Sequence, residues 1–323
     1  MKSLALAVAI WGVTSVAGCM TSPRTPAPPP VSVPEAVTVR AGGHVVRVPM
    51  EEYVLGSILA EVSPVDSDEA TVARIFDVQA VLARSYAAGH VGRHASEGFD
   101  LCDGTHCQLY QPGRVRTSRF AAAARAAVDR TSHMVLSFAA RPVEALFHAD
   151  CGGSTSSAGD VWGGRPVPYL LASPDNVAAV SHRAWEITVP PARLRDALAK
   201  DTRSAVGRRL DDVGIATRDA GGRAMTIDVR GEFPRTVRGE DFRAILNRTL
   251  GDRALLSTRF EVSRQSDGYR FAGTGFGHGV GLCQVGAYGM ALRGADYKTI
   301  LEHYYPGISL SRAPADPAAA GTR

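Results

Sequence analysis

Apolar and polar positions change rhythm several times along this chain, and each rhythm predicts a different element. Residues 4–16 are a mostly apolar run behind Lys2, too short to cross a bilayer as a stable helix. Prolines at 23, 26, 28, 29, 30 and 34 dominate residues 20–36, which predicts an extended tether. Alternation over 37–48 around Gly42 and Gly43 predicts a hairpin. Pro49 then stands at the first position of a helix expected to reach Val62, with Glu51 and Glu52 in its first turn and Pro64 as its stop. A second helix is expected from Ser67 or Asp68 to about Gly89, with Val72, Phe76, Gln79, Ala83 and Tyr86 on one face, and a third over 121–128. Strands are expected at 134–138 and 144–148. From 185 to 271 the pattern mixes strands at 185–189, 225–229 and 260–262 with helices at 192–200 and 239–246, and this stretch has no His and no Cys. It reads as a second lobe or insertion. The fold class is therefore α+β, helices and antiparallel strands in two lobes around a cleft, over residues 37–312, with 313–323 expected to fray.

Composition narrows the partners. The 323 residues are 45% hydrophobic, enough for one large core or two smaller ones. A net charge of +4 from 36 basic and 32 acidic residues is too small to argue for nucleic acid. The cysteine count of five is odd, and Cys19 directly follows the small residues Val16, Ala17 and Gly18. This ending resembles a lipobox, which implies cleavage before Cys19 and its acylation, so that a lipid anchor holds an exported lipoprotein to a membrane. A plain secretory signal with a chance cysteine is the alternative. Either way the chain belongs in the periplasm or cell envelope. Met20 in place of Asp favours the outer membrane where the cell has one.

Four clusters carry candidate chemistry. Glu61 shares a predicted helix stripe with Val54 and Ile58, and it lies in the last turn, where the helix dipole and an apolar surround both disfavour a charged carboxylate. A raised pKa suits a general acid, while a capping or snorkelling Glu is the plainer reading. The loop HASEGFDLCDGTHC gathers His94, Cys102, His106 and Cys107; the spacing of its cysteines suits zinc thiolates, with imidazole completing a tetrahedral set. A Cys102–Cys107 disulfide and free thiols remain open, as does whether His106 binds metal or faces the cleft. Glycines 273, 275, 277, 279 and 281 alternate with Thr274, Phe276, His278, Val280 and Leu282, and an extended chain would place the glycines on one bare face with His278 opposite. Tight strand packing with a core His278 is the alternative. The run fits neither a P-loop nor a dinucleotide fingerprint. Finally, FHADCGGSTSSAGDVWGG places His148, Cys151, Asp160 and Trp162 in a polar loop suited to sugar or peptide contacts, with Trp162 as a stacking surface. Cys151 and Cys283 either pair or supply a thiol nucleophile beside His148 or His278.

The segments VPMEEYVLGSILAEVSP, VQAVLARSYAAGH, FDLCDGTHCQLY, FHADCGGSTSSAGDVWGG, GTGFGHGVGLCQVGAYG and ILEHYYPG together resemble the family of the sporulation stage II protein D, whose relatives include the amidase-enhancer proteins. The resemblance spans 45–307 in the family's order. It implies a lytic transglycosylase that cleaves peptidoglycan glycan strands, denuded ones by preference, between N-acetylmuramic acid and N-acetylglucosamine, leaving 1,6-anhydro ends, with Glu61 as acid and then base. Gln79, Arg84, Tyr86, His278 and Gln284 are candidates for holding the sugar and steadying Glu61. Gln79 and Tyr86 as helix-packing residues, and Arg84 as a structural ion-pair partner, are the alternatives. Some members hold zinc at a comparable His/Cys cluster. This chain departs from the family in having Val62-Ser63-Pro64 where Met and Pro often follow the Glu directly, and Cys283 where Ser is common. The second departure favours a Cys151–Cys283 bridge. The rival functions are a glycan-binding module that stimulates a cell-wall amidase, a thiol hydrolase of cell-wall peptides and a structural lipoprotein.

Overall fold

A computed structural model describes residues 31–64, 67–175 and 181–316, so the apolar leader, Cys19 and most of the tether lie outside the described residues. The described residues form an α+β fold with helices α1 (Met50–Glu61), α2 (Glu69–Gly89), α3 (Arg114–Thr117), α4 (Ala121–Arg130), α5 (Ala158–Trp162), α6 (Pro191–Leu198), α7 (Gly239–Leu250), α8 (Gln284–Leu292) and α9 (Tyr297–Tyr304). Their sheets are mostly antiparallel.

α1 begins after Pro49, which is its N-cap and not its first helical residue. Met50 and the run from Tyr53 to Leu59 are all buried, so the helix is apolar nearly all round and not along one stripe. Asp68 caps α2 by accepting from Thr71 N–H at 2.7 Å. α2 then packs against α1, α4, α8 and α9 and is the centre of the first hydrophobic core. The hairpin Ala36–Ala41 with His44–Pro49 turns at Gly42 and Gly43, and its first strand also pairs in parallel with Leu101–Cys102. That pairing brings the cysteine loop against the helices. The expected strand at 144–148 is reduced to Phe147–His148, which runs parallel to Leu282–Cys283 and so joins two distant loops.

A second core gathers residues from Val189 to Phe271. It holds the meander Leu210–Arg218, Ala224–Gly231 and Arg235–Arg238, and a second sheet with Tyr269–Thr274 between Ala184–Val189 and Phe260–Arg264. Within Leu210–Arg218 only Val213 is buried, which is why its pattern does not read as a strand.

Two expectations are overturned. The glycine run is not extended: its strand stops at Thr274, and Gly275, Gly277, Gly279 and Gly281 all have positive φ, between 72° and 107°. A Cβ at Gly275 would lie 2.8 Å from Asp150 O, and one at Gly277 would lie 2.9 Å from His148 Cβ. The alternation therefore marks successive left-handed turns pressed against a neighbouring loop. The start of the C-terminal tail is not frayed either. Ala313 is buried, and Ala315–Asp316 pairs in parallel with Val33–Pro34, so the last tether residues belong to the fold as well. Residues 317–323 lie outside the described ones.

Candidate functional site

A cavity of about 1050 Å³ has Glu61 in its lining. Glu61 is the last residue of α1, and the geometry around it is built from that helix outward. Gly56 leaves room for the Tyr110 ring, since a Cβ there would lie 2.6 Å from Tyr110 Cε2. Tyr110 in turn stacks on Tyr53, with ring centroids 5.1 Å apart. Gln108 is buried and donates to Tyr53 OH at 3.0 Å and to Ala83 O at 3.1 Å, tying the loop to both α1 and α2. Between these anchors, Leu109 N–H donates to Glu61 Oε1 at 2.7 Å. No described residue bonds Oε2. Burial pushes the Glu61 carboxyl above the ordinary range, and the Leu109 N–H offsets part of that rise.

The cysteine loop forms the adjoining wall. Cys102 and Cys107 sulfurs are 2.6 Å apart, and His94 Nε2 lies 3.5 Å from Cys107 Sγ. Glu97 Oε1 takes the His94 Nδ1–H at 2.6 Å, which turns the Nε2 lone pair towards the sulfurs. Ligand atoms of His94, Cys102 and Cys107 all lie within 4.8 Å of one another, a set that fits zinc in donor type. His106 is outside this trio. It is exposed in the cavity wall, edge-on to His94 with ring centroids 5.2 Å apart.

The other expected site residues divide. Tyr86 and Gln284 line the cavity. Gln79 does not, but lies behind Gln284, whose Nε2 donates to Gln79 Oε1 at 3.4 Å. Arg84 is also away from the cavity lining. It is fully buried, forks onto Glu51 and donates to Met134 O at 3.1 Å, because a helix-core guanidinium needs a carboxylate to offset desolvation. His278 lines the cavity with both nitrogens taken: Nδ1 accepts from Val280 N–H at 3.1 Å and Nε2 donates to Phe147 O at 3.0 Å. Burial, then Arg223 and Arg243, push its pKa down to about 3, so it presents a neutral ring. Trp162 is 39% exposed, with its ring 5.2 Å from His278. Cys151 and Cys283 are wholly buried free thiols.

The sequence pattern did not mark the α7 side of the cavity. Arg243 and Asn247 line it from α7, and Arg253 follows in the next loop, 5.5 Å over the Phe276 ring. Arg93 adds a cation from the opposite side of the sequence. On an amphipathic helix such residues read as a solvated face.

A family model described as SpoIID, a stage II sporulation protein, matches residues 40–138, and a domain of unknown function, DUF8618, matches 179–281. An uncharacterized protein of Brachyspira hyodysenteriae is 34% identical over 262 residues, 81% of this chain and 66% of that protein's own length. Stage II sporulation protein D of Bacillus subtilis is 28% identical over 88% of this chain and 80% of its own. The amidase enhancer of the same organism is 25% identical over 57% of this chain but only 32% of its own. With the family model covering both Glu61 and the cysteine loop, and these relatives aligned around it, the chain belongs to the family of stage II sporulation protein D and the amidase enhancers.

Proposed function

We propose that this chain is a peptidoglycan lytic transglycosylase with Glu61 as its acid and base. The observation that carries the reading is a carboxyl at the end of a buried helix, raised by burial, held through one oxygen and facing a large cavity. The neutral Glu61 gives its proton to the oxygen linking N-acetylmuramic acid to N-acetylglucosamine as an oxocarbenium-like state develops. The resulting carboxylate takes the proton of the muramic 6-hydroxyl, whose oxygen closes on the anomeric carbon in place of water. Glu61 ends the cycle protonated again. The Leu109 N–H strengthens as Oε1 gains charge and so favours the carboxylate stage. Trp162 and His278 supply ring surface for a sugar face, and Gln284 and Tyr86 supply polar contacts. Arg93, Arg243 and Arg253 suit the carboxylates that muramic residues keep on denuded strands.

The family fits a cell-wall role, and within it the same reading takes the chain as an exported lipoprotein of the cell envelope, held through acylated Cys19. His94, Cys102 and Cys107 would hold zinc, which would brace the loop that carries Leu109. No step of the reaction runs through the metal.

A second reading, glycan binding without cleavage in support of an amidase, is favoured by the name of one relative. A thiol hydrolase is disfavoured: Cys151 and Cys283 are wholly buried, and the Cys107 thiol is pushed up to about 11 by burial and by Cys102. Digestion of purified glycan strands, with and without stem peptides, separates the two. Wild type should shorten denuded strands, and Glu61→Gln should slow this by about 10²–10⁴-fold while still binding them. Equal binding and equal amidase stimulation by both proteins, with no cleavage by either, would establish the enhancer reading.

A further inference from the structure

Behind the cavity wall lies a second group of soft donors. The parallel ladder of Phe147–His148 with Leu282–Cys283 brings His148, Cys151 and Cys283 together, with all three ligand atoms within 4.8 Å of one another. Each is buried to 4% exposure or less. His148 Nδ1 donates to Val280 O at 3.2 Å, so its Nε2 carries a lone pair, and that atom is buried with no partner among the described residues. Asp175 Oδ2 accepts from the Cys151 thiol at 3.1 Å and from Tyr304 O–H at 3.1 Å, while its buried Oδ1 has no partner among the described residues. Two buried, orphaned acceptors, one within the thiol cluster and one on a carboxylate bonded to it, are costly unless something satisfies them.

Backbone N–H groups also point at both sulfurs. Gly153 N–H donates to Cys151 Sγ at 3.3 Å, and Cys151 N–H and Gly286 N–H donate to Cys283 Sγ at 3.2 and 3.3 Å. Cys283 also caps the N-terminus of α8, where the helix dipole favours an anion. The neighbouring Asp150 and His182 are not competitors, because they bond each other at 2.6 Å and Asp150 also accepts from Gly152 and Arg183 N–H.

We propose that His148 Nε2, Cys151 Sγ and Cys283 Sγ form a second, structural zinc site, with the Asp175 carboxylate, now 3.1 Å from Cys151 Sγ but outside that 4.8 Å cluster, turning in as the fourth donor when the ion binds. Two thiolates, an imidazole oriented through its other nitrogen by a carbonyl, and a carboxylate held by Tyr304 make a tetrahedral set of the borderline-soft type zinc takes. Sulfur atoms about 3.8 Å apart span the edge of such a site, within the observed limit. Binding releases the two thiol protons, including the one Cys151 lends to Asp175. The site then carries one net negative charge, balanced by the buried Arg223, whose Nη2 donates to Cys151 O at 2.9 Å. The ion would pin the loop that supplies His148 and Ala149 to the start of α8, which supplies Gln284, so that it fixes one wall of the cavity.

Cobalt replacement tests this independently of the transglycosylase reading. The reductant-free Cys102→Ser/Cys107→Ser protein, with Cys19 acylated or also changed to Ser, should bind one cobalt per chain, with a thiolate charge-transfer band, and two free thiols should be counted once the metal is removed. Wild type should bind one equivalent more than Cys151→Ser/Cys283→Ser, whatever the first cluster holds. A natively folded Cys102→Ser/Cys107→Ser protein without the band, no free thiol in it because Cys151 and Cys283 are bridged, or equal cobalt content in wild type and Cys151→Ser/Cys283→Ser would each overturn the proposal.

Discussion

Glu61 concentrates the conflict between stability and chemistry in one side chain. Its carboxyl is raised above the ordinary 4.5, first by desolvation, so the fold disfavours the charged form. The sign follows from linkage. The native state holds its proton to higher pH than the unfolded chain does, so this group's contribution to stability is complete below the ordinary value and is lost as pH rises through the raised one. Glu61→Gln keeps an acceptor for Leu109 N–H and removes that loss. Its Tm should therefore exceed that of wild type at neutral pH, and the gap should close as the pH approaches 4 in paired calorimetric scans. An equal gap at both pH values would contradict the assignment of burial as the cause. His278, neutral in the fold above about pH 3 but protonated in the unfolded chain below its ordinary value, lowers the stability of both proteins alike as the pH falls and cancels in the gap between them.

Among the elements, α1 and α2 do the positioning, and two substitutions separate packing from binding. Gly56→Ala puts a methyl 2.6 Å from Tyr110 Cε2, so the ring must move and carry the Leu109 N–H with it. An overpacking cost of about 1–3 kcal/mol is expected by denaturant unfolding, together with a larger fall in kcat than in glycan affinity. Arg84→Met strips a buried partner from Glu51 and should cost about 3–5 kcal/mol, with the affinity of the folded fraction for glycan unchanged. Weaker affinity with normal stability would restore Arg84 to the binding surface. The helices were legible because Pro49, Asp68 and Pro64 punctuate them and α2 keeps its buried face from Val72 to Tyr86. Glu61 was legible as an acid at the end of an apolar helix, although that helix is buried nearly all round and not along one stripe. Leu210–Arg218 was not, since a strand with one buried residue leaves no alternation to read. Nor was the glycine run, where the spacing of extended and turned backbone is the same until φ is known. The Leu109 N–H, the partner closest to Glu61, belongs to the backbone and leaves no trace in side-chain pattern.

Across the whole molecule, the cavity draws its lining from residues of the first core, from α7 in the second and from the loops at 147–149 and 276–278 between them. Arg223 is one buried link among several: it comes from the second core region and donates to Cys151 O at 2.9 Å and Gly277 O at 3.2 Å, beside bonds such as Ser156 to Asp219 and Arg238 to Trp162 O. Arg223→Met would leave both carbonyls unpaired and should destabilise the protein by about 3 kcal/mol, measured by urea unfolding, with the loss felt first as weaker glycan binding. Unchanged stability would mean that the other bonds between the regions, such as Ser156 to Asp219, hold them without Arg223. The central claim is that Glu61 directs an internal hydroxyl, and not water, to the anomeric carbon. The most direct measurement is mass spectrometry of the ends released from denuded glycan strands by wild-type protein in water enriched in heavy oxygen. Anhydro-muramic ends without the heavy isotope are predicted, and they should disappear with Glu61→Gln. Reducing ends that carry the heavy isotope, or anhydro ends formed as fast by Glu61→Gln as by wild type, would contradict the account.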